Sequence, residues 1–546
     1  IAQVLDEVIV PHGNRRGLSV GWLATAWLAY IISEADHRRN QVEPWAAERK
    51  QLLEALLGQQ LRVKDFTDDR LGDLLRYLSD DTTWQGIETQ LGERLIRVYN
   101  LQEAPVRLDS TSVAVYHNGQ DAMLFQYGHS KDARPDLRQF KLMLASLDPL
   151  GLPLATLVVP GQRADDKLYL PTIRQARQVI GRGGKLYVGD GCMAGLQTRA
   201  ILQDDGDYYL TALPLNGRVP QLLAHLLQPV FEGSKGLVQI RDQDGKPVAA
   251  AYEAVRTVTA QVGDKRIEWP ERVLVVYSYA LARRRRGALA KRLAKAEREI
   301  LALTPQRGRG RRQWTELEPL QEKVAAILRR HRVEGLLAVS YELEVEQRQV
   351  RPYGSRPGRT VERRRYVTRV KCNTQAYAAA RRRLGWRLLV TNAPAQRLSL
   401  EKAIGGYRAA YIIEGNFRVL KGKPLGIRPV YVKREDHAIG LTRLLTLAVR
   451  AIALLQYVVR RRLEQQGETI AGLYAGNPKR RTARPTTPLL LNAFKGITLT
   501  RVDLPGRETI YHITPLREVH ERILQLAGLP PSIYEDLLVY AQAHPS

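Results

Sequence analysis

The sequence of 546 residues is 44% hydrophobic and 26% charged, ample for three or four domains with buried cores. It carries 84 Lys and Arg against 56 Asp and Glu, and the net charge of +28 points to a polyanionic partner, nucleic acid first. Its two cysteines, Cys192 and Cys372, lie far apart without paired histidines nearby, which argues against a disulfide framework or a zinc site and fits a reducing cytoplasm.

A membrane-spanning reading is disfavoured too. The most apolar long segment, residues 438–459, is interrupted by Arg443 and Arg450, whereas a spanning helix needs about 20 mostly apolar residues; a buried helix is expected instead. No basic-then-apolar leader opens the sequence, which starts at Ile1 rather than Met and so need not begin at the native start.

Residues 1–104 read as a helical domain, with apolar stripes at Leu18, Trp22, Ala26, Ala29 and Ile32, then Leu52, Leu53, Leu56 and Leu57, then Leu71, Leu74, Leu75 and Leu78. The stripes are most simply core. A domain of this kind could also read DNA, but no defined helix-turn-helix spacing is found in it.

Residues 105–213 change to short β-rich runs. Strands are expected at 106–115 (VRLDSTSVAV), 140–148 and 152–160, a helix at 169–180, a strand at 184–191 (GKLYVGDG), a helix at 195–203 and a strand at 207–213. Three adjacent strands followed by alternation suggest a mixed sheet with helices against it. Asp109 lies inside the first strand. Asp190 lies at the carboxyl end of the fourth, where open α/β sheets place their sites.

Residues 214–385 read as an insertion into that sheet. Strand-like runs at 272–281 and 336–345 enclose helices at 284–303 and 315–331, joined by the basic Pro/Gly-rich TPQRGRGRRQW. Residues 283–383 hold 28 Lys and Arg against 10 Asp and Glu, a net +18. Such concentration favours phosphate contact over a merely solvated surface, with Arg284, Arg285, Arg309, Arg311 and Arg312 as candidates.

Residues 386–466 return to the sheet: WRLLVTN as a strand, 399–405 as a short helix, 407–421 (YRAAYIIEGNFRVLK) as a second and 434–463 as a long third. At helical spacing Tyr407, Glu414, Arg418 and Lys421 fall at i, i+7, i+11 and i+14 and share a face. Solvated ion pairing alone would explain that face. In the tail, residues 467–546, a linker at 467–485 carries Lys479, Arg480, Arg481 and Arg484, which could touch DNA or simply be solvated.

Together these features resemble DDE transposases of bacterial insertion sequences: an Asp on the first of three strands, an Asp ending the fourth, and a later helix with a Glu. Within them the chain is similar to the IS-four-like group, whose signature is Tyr, two residues, Arg, three residues, Glu, six residues, Lys. Here that pattern falls on Tyr407, Ala410, Glu414 and Lys421, with Ala410 where the family has Arg. The stretches GHSKDARPDLRQFKL (128–142) and WRLLVTN (386–392) also look like the group, so the resemblance covers roughly residues 106–421.

The resemblance implies a ribonuclease-H-like α/β core, a mixed sheet with flanking helices, interrupted by a large basic β-rich insertion and preceded by the helical N-terminal domain. It implies cut-and-paste transposition: binding of inverted-repeat ends of double-stranded DNA, metal-dependent cleavage, and attack by the freed 3′ hydroxyl. A homodimer in the synaptic complex, a prokaryotic cytoplasm beside the nucleoid, and Mg²⁺ with Mn²⁺ as substitute follow in the same way. A nuclease of the same fold without strand transfer, or a domesticated DNA-binding protein, is the alternative.

The chemistry gives its own reason for three carboxylates. Two divalent ions about 3.5–4 Å apart activate an attacking oxygen and stabilise a leaving one in phosphodiester displacement. Hard ions of this kind want oxygen ligands, and Asp109, Asp190 and Glu414 meet if the last helix packs beside the first and fourth strands. His129, Lys131, Tyr407 and Lys421 are candidate phosphate contacts. Arg418 follows Glu414 by four residues and is expected, with Lys421, to supply the cation missing at Ala410. Ser110 and Ser112 flank Asp109, but no Gly-x-Ser-x-Gly elbow exists for serine chemistry.

Overall fold

Apolar stripes at helical spacing fold the N-terminal hundred residues into α1 (Ala2–Val8), α2 (Val20–Glu34), α3 (Val42–Glu48), α4 (Lys50–Leu57), α5 (Asp68–Ser79) and α6 (Asp81–Tyr99). Side-chain caps start two of them: Ser19 Oγ accepts from Trp22 N and Asp80 Oδ1 from Thr83 N. This computed structural model describes residues 1–546 apart from residues 12, 14–15, 102–104, 117–122, 309–310, 312, 353, 355–356, 424, 429, 431, 504, 506–508 and 545–546, with only the backbone of residue 63. Contacts divide the chain into two units, one of Ile1–Pro214, Arg256–Glu271 and Val390–Ser546, the other of Leu215–Val255 and Arg272–Leu389.

In the first unit β1 (Val106–Ala114) is buried along its length except at Asp109, as a strand covered on both faces requires. It pairs antiparallel with β2 (Gln139–Leu147), which pairs antiparallel with β3 (Leu152–Pro160). After α7 (Tyr169–Ile180) comes β4 (Leu186–Val188), parallel to β1; after α8 (Leu196–Asp204) comes β5 (Tyr208–Leu213), parallel to β4. The order β3-β2-β1-β4-β5 is the ribonuclease-H-like mixed sheet that the sequence resemblance implies.

The second unit holds α9 (Val219–Phe231), β6 (Val238–Arg241), most of β7 (Pro247–Val262) and part of β8 (Lys265–Ser278). It continues with α10 (Tyr279–Leu303), α11 (Leu317–His331), β9 (Leu337–Val350), β10 (Arg359–Cys372), α12 (Thr374–Arg383) and the start of β11 (Trp386–Thr391). Strand β8 therefore ends three residues before the 272–281 run predicts, because Ser278 Oγ accepts from Leu281 N and starts α10 there. Strands β6, β7 and β10 go unseen in the sequence. The full sheet order is β3-β2-β1-β4-β5-β11-β8-β7-β6, while β9 and β10 form a separate two-stranded ribbon.

The chain then returns to the first unit with α13 (Leu400–Arg408), α14 (Tyr411–Lys421) and the 32-residue α15 (Glu435–Gln466). A tail of α16 (Thr487–Ala493), β12 (Leu499–Val502), β13 (Ile510–Ile513), α17 (Glu518–Ala527) and α18 (Ile533–Ala543) closes it. The single helix expected at 407–421 is two. At the break Ala409 N donates to the Gly405 and Gly406 carbonyls, and Arg107 Nη2 also donates to the Gly406 carbonyl at 2.7 Å.

Helix α15 is long and apolar enough to cross a membrane, yet 78% of its most apolar stretch is buried. It packs on α2, α5 and β3. Its two interrupting arginines explain the fit: Arg443 donates to the carbonyls of Leu78 and Ser79, and Arg450 pairs with Glu88 of α6 at 2.9 Å. At Gly440 an added Cβ would lie 2.1 Å from the Leu75 carbonyl oxygen, so only glycine lets α5 approach this closely.

Candidate active site

Parallel pairing sets two aspartates level. Val106 and Arg107 of β1 lie opposite Tyr187 and Val188 of β4, and the same register carried two residues on brings Asp109 opposite Asp190, beyond the carboxyl end of β4. Asp109 side chain is 26% exposed in an otherwise buried strand, and its Oδ1 accepts from Ser110 N at 2.7 Å. Burial raises the Asp109 pKa and the Asp190 charge raises it further, against the lowering influence of Lys131.

Asp190 sits at the start of a short 3₁₀ turn, Gly191–Ala194. Its Oδ1 accepts from Cys192 N at 2.8 Å and from the Tyr169 hydroxyl at 2.6 Å, and its carbonyl accepts from Thr211 Oγ1. Neighbouring Gly189 has a steric reason: a Cβ there would lie 2.7 Å from Met193 Sδ and 3.0 Å from Tyr169 Cε1. A side chain at residue 189 would push away the ring that orients Asp190. Burial and then Asp190 push the Tyr169 hydroxyl well above its usual range, so it stays a donor, and burial pushes the Cys192 thiol up to about 11.

Lys131 joins this cluster from the loop before β2. Its Nζ lies 2.7 Å from the Ser110 carbonyl, 2.8 Å from Ser110 Oγ, and 3.4 Å from both Asp109 Oδ1 and Asp165 Oδ2. Burial works to lower the Lys131 pKa, but Asp109, Asp165 and Asp190 outweigh it and hold the pKa above the ordinary value. Asp165 in turn takes Lys141 Nζ at 2.6 Å. Lys131, expected as a phosphate contact, already spends its ammonium on the carboxylates.

Lys421 is held differently. Its Nζ meets Asp132 Oδ1 at 2.7 Å, Arg428 Nη1 meets the same oxygen at 3.0 Å, and Asp132 Oδ2 is buried without a hydrogen-bond partner among the described residues. Burial lowers the Lys421 pKa, opposed by Asp132 and helped by Arg428 and Lys131.

Helix α14 packs on β1 and buries Ile413, Asn416, Phe417 and Leu420, with Asn416 Nδ2 donating to Ser146 Oγ of β2 at 3.1 Å and to the Gly151 carbonyl at 2.6 Å. Seven residues at about 100° each return Lys421 to within about 20° of Glu414, so Glu414 lies on the flank of α14 that reaches Asp132 and Lys131. Glu414 is exposed and free of hydrogen bonds or ion pairs to its carboxylate among the described residues. It follows Ala410, the residue just before α14, by one turn, with Glu414 N donating to the Ala410 carbonyl at 3.1 Å.

Arg418 is exposed, makes no ion pair with Glu414, and lines a recess of about 410 Å³ with Pro149, Leu150, Val449 and Arg460. Tyr407 lies on α13 and so does not share a helix face with Glu414. His129 is exposed; its carbonyl accepts from Gln139 Nε2 at 3.0 Å. In the second unit Arg284 and Arg285 are exposed on the second turn of α10 and Arg311 is exposed after it, while Arg309 and Arg312 lie outside the described residues. In the run of arginines at residues 283–286, Arg286 stacks over the Tyr277 ring at 5.9 Å, while Arg283, Arg284 and Arg285 are exposed.

The structure thus joins Asp109 and Asp190 and leaves Glu414 outside their hydrogen-bond network. Among the described residues no three His, Cys, Asp or Glu side chains are arranged to hold a metal ion. Level carboxylates on adjacent strands, with a lysine ammonium drawn onto one of them, are nonetheless hard oxygen donors in need of positive charge, which fits a divalent ion at Asp109 and Asp190. Residues 103–449 match the family described as transposase DDE domain. The chain belongs to that family. No curated protein matches it. As a transposase it acts on DNA, and DDE domains of this kind use divalent metal ions.

Tyr169, Asp165 and Asp132 of the transposase site are missed by sequence reasoning. The only signal for Asp132 is its place beside Lys131 in GHSKDARPDLRQFKL. Tyr169 and Asp165 precede and begin a helix that reads as ordinary core, with nothing local to mark them.

Proposed function

We propose that the chain is a cut-and-paste transposase of the IS-four-like group that binds inverted-repeat DNA ends, cleaves them, and joins the freed 3′ hydroxyl to a target. The observation that carries this reading is the level placement of Asp109 and Asp190 with Lys131 as counter-charge. Asp109, Asp190 and Glu414 would hold two Mg²⁺ ions, or Mn²⁺ in their place, which supply an activated attacking oxygen and a stabilised leaving one. Tyr169 and Cys192 N hold the Asp190 carboxylate in one orientation. Glu414 joins the aspartates from its flank of α14. Lys421, steadied by Asp132, and Arg418 offer cations to the phosphates beside the scissile bond, with His129 and Tyr407 at its edge.

Arg284, Arg285, Arg309, Arg311 and Arg312 grip the DNA backbone, and two protomers pair in the synaptic complex. Incubation of the full chain with DNA carrying an element end and a supercoiled target, in Mg²⁺ and separately in Ca²⁺, tests the reading. Mg²⁺-dependent joined products are expected, with binding but little chemistry in Ca²⁺. Cleavage without joining would make the chain a nuclease. Binding without either would make it a domesticated DNA-binding protein.

A further inference from the structure

Strands β9 and β10 pair over fourteen positions, from Leu337↔Cys372 to Val350↔Arg359. Near the ribbon's base Leu337, Val339, Tyr341, Tyr366 and Val370 pack on the core of α10 and α11. Beyond Glu344↔Arg365 the ribbon leaves that core. In the six outer pairs every residue but the half-buried Val361 is exposed, although free-standing two-stranded ribbons are marginal in water. An arm of about 20 Å, six residues at about 3.4 Å each, is therefore kept extended without a core of its own.

Charge is sorted along this arm. Every acid on the ribbon is taken: Glu342 by Arg369 at 2.6 Å, Glu344 by Arg365 at 2.6 Å, Glu346 by Arg307, and Glu362 by Arg364 at 2.8 Å. Arg348, Arg359 and Arg363 have no ion pair among the described residues, and strand alternation with the pairing Arg348↔Val361 places all three on one face of the outer arm. Arg351, just past the end of β9, is exposed as well. From 345 to 365 the sequence holds seven Arg against two Glu.

We propose that this arm lies in the major groove of duplex DNA, with Arg359 and Arg363 on phosphates and Arg348 between them; the inference rests on the transposase reading above. The major groove, about 12 Å wide, admits a two-stranded ribbon. Four residues of strand separate Arg359 from Arg363 by about 13–14 Å, comparable with that width. A second copy of the chain, itself at +28, would meet the same face with repulsion.

The test is equilibrium binding of the full chain to a short mixed-sequence duplex over a series of salt concentrations, for the parent, the triple variant Arg348→Ala/Arg359→Ala/Arg363→Ala, and the matching triple Lys variant. The Ala variant should bind more weakly, with the slope of log affinity against log salt shallower by about 2, from about 0.9 for each of the two lost phosphate contacts; the Lys variant should keep the parent slope. Methylation of guanine N7, in the major groove, should interfere with binding by the parent and much less with the Ala variant. Equal slopes for the parent and the Ala variant overturn the inference, as does a change in oligomeric state without a change in slope. A parent chain that binds no duplex at all defeats the transposase reading instead.

Discussion

Lys131 puts a positive charge where the carboxylates most need one, with its ammonium 3.4 Å from Asp109 and the same distance from Asp165. A bound divalent ion must compete with that charge for Asp109. Lys131→Met, which keeps the stem and removes the ammonium, is therefore expected to lower the Mg²⁺ concentration giving half-maximal cleavage and to leave the salt dependence of DNA binding alone. A salt slope shallower by about 1 with an unchanged Mg²⁺ midpoint would return Lys131 to the role of a phosphate contact. Arg418 presents the opposite case, exposed and without an ion pair to Glu414. Arg418→Ala is expected to slow cleavage by about 100-fold to 1000-fold, the range for losing one charge-stabilising donor, with normal folding, and Ala410→Arg to recover part of the loss. Parent-like cleavage by Arg418→Ala would mean another cation serves the signature position.

At the scale of elements, the first three strands are legible because each is a short buried run bounded by turn signals: β3 and α7 fall on the residues the sequence predicts, and β1 and β2 within one residue, whereas β4, expected over 184–191, spans only Leu186–Val188 and leaves Asp190 two residues past its end. The break between α13 and α14 is not legible. It lies where an arginine 299 positions away in sequence donates to the Gly406 carbonyl, a tertiary contact of which local propensity holds no trace. Nor does β10 announce itself, since an exposed ribbon has no apolar alternation to read. Asp109 and Asp190 could be found because strand and turn patterns place them; Tyr169, Asp165 and Asp132 acquire their roles only from tertiary contacts.

The join between α6 and α15 makes its own claim. Burial pushes Glu88 up to about 7 from an ordinary 4.5, with Arg450 pulling it down. Between those values the folded chain keeps a proton that the unfolded chain has released, so this group's contribution to stability is full below about 4.5 and declines as pH rises to about 7. Arg450→Met strands the Glu88 carboxylate and should cost about 3–5 kcal/mol above neutrality and less in acid, where Glu88 is neutral. Denaturant unfolding at several pH values measures this, and a cost independent of pH would contradict it.

Across the whole molecule, charge and fold divide the work. Acidic groups collect where β1 runs past the carboxyl end of β4, while residues 283–383 carry a net +18 of the chain's +28. Chemistry and grip should therefore come apart on mutation, and the site of chemistry can be tested at one atom type. Soft thiolates favour softer ions over Mg²⁺, so an aspartate that holds the ion can be replaced by cysteine and the metal changed to match. The most direct measurement is cleavage of end-containing DNA by Asp190→Cys and Asp190→Ala in Mg²⁺ and in Mn²⁺, with DNA binding followed in parallel. The account predicts parent-like binding throughout, no cleavage by either variant in Mg²⁺, and recovery in Mn²⁺ for the cysteine variant alone; full cleavage by Asp190→Ala in Mg²⁺ would contradict it.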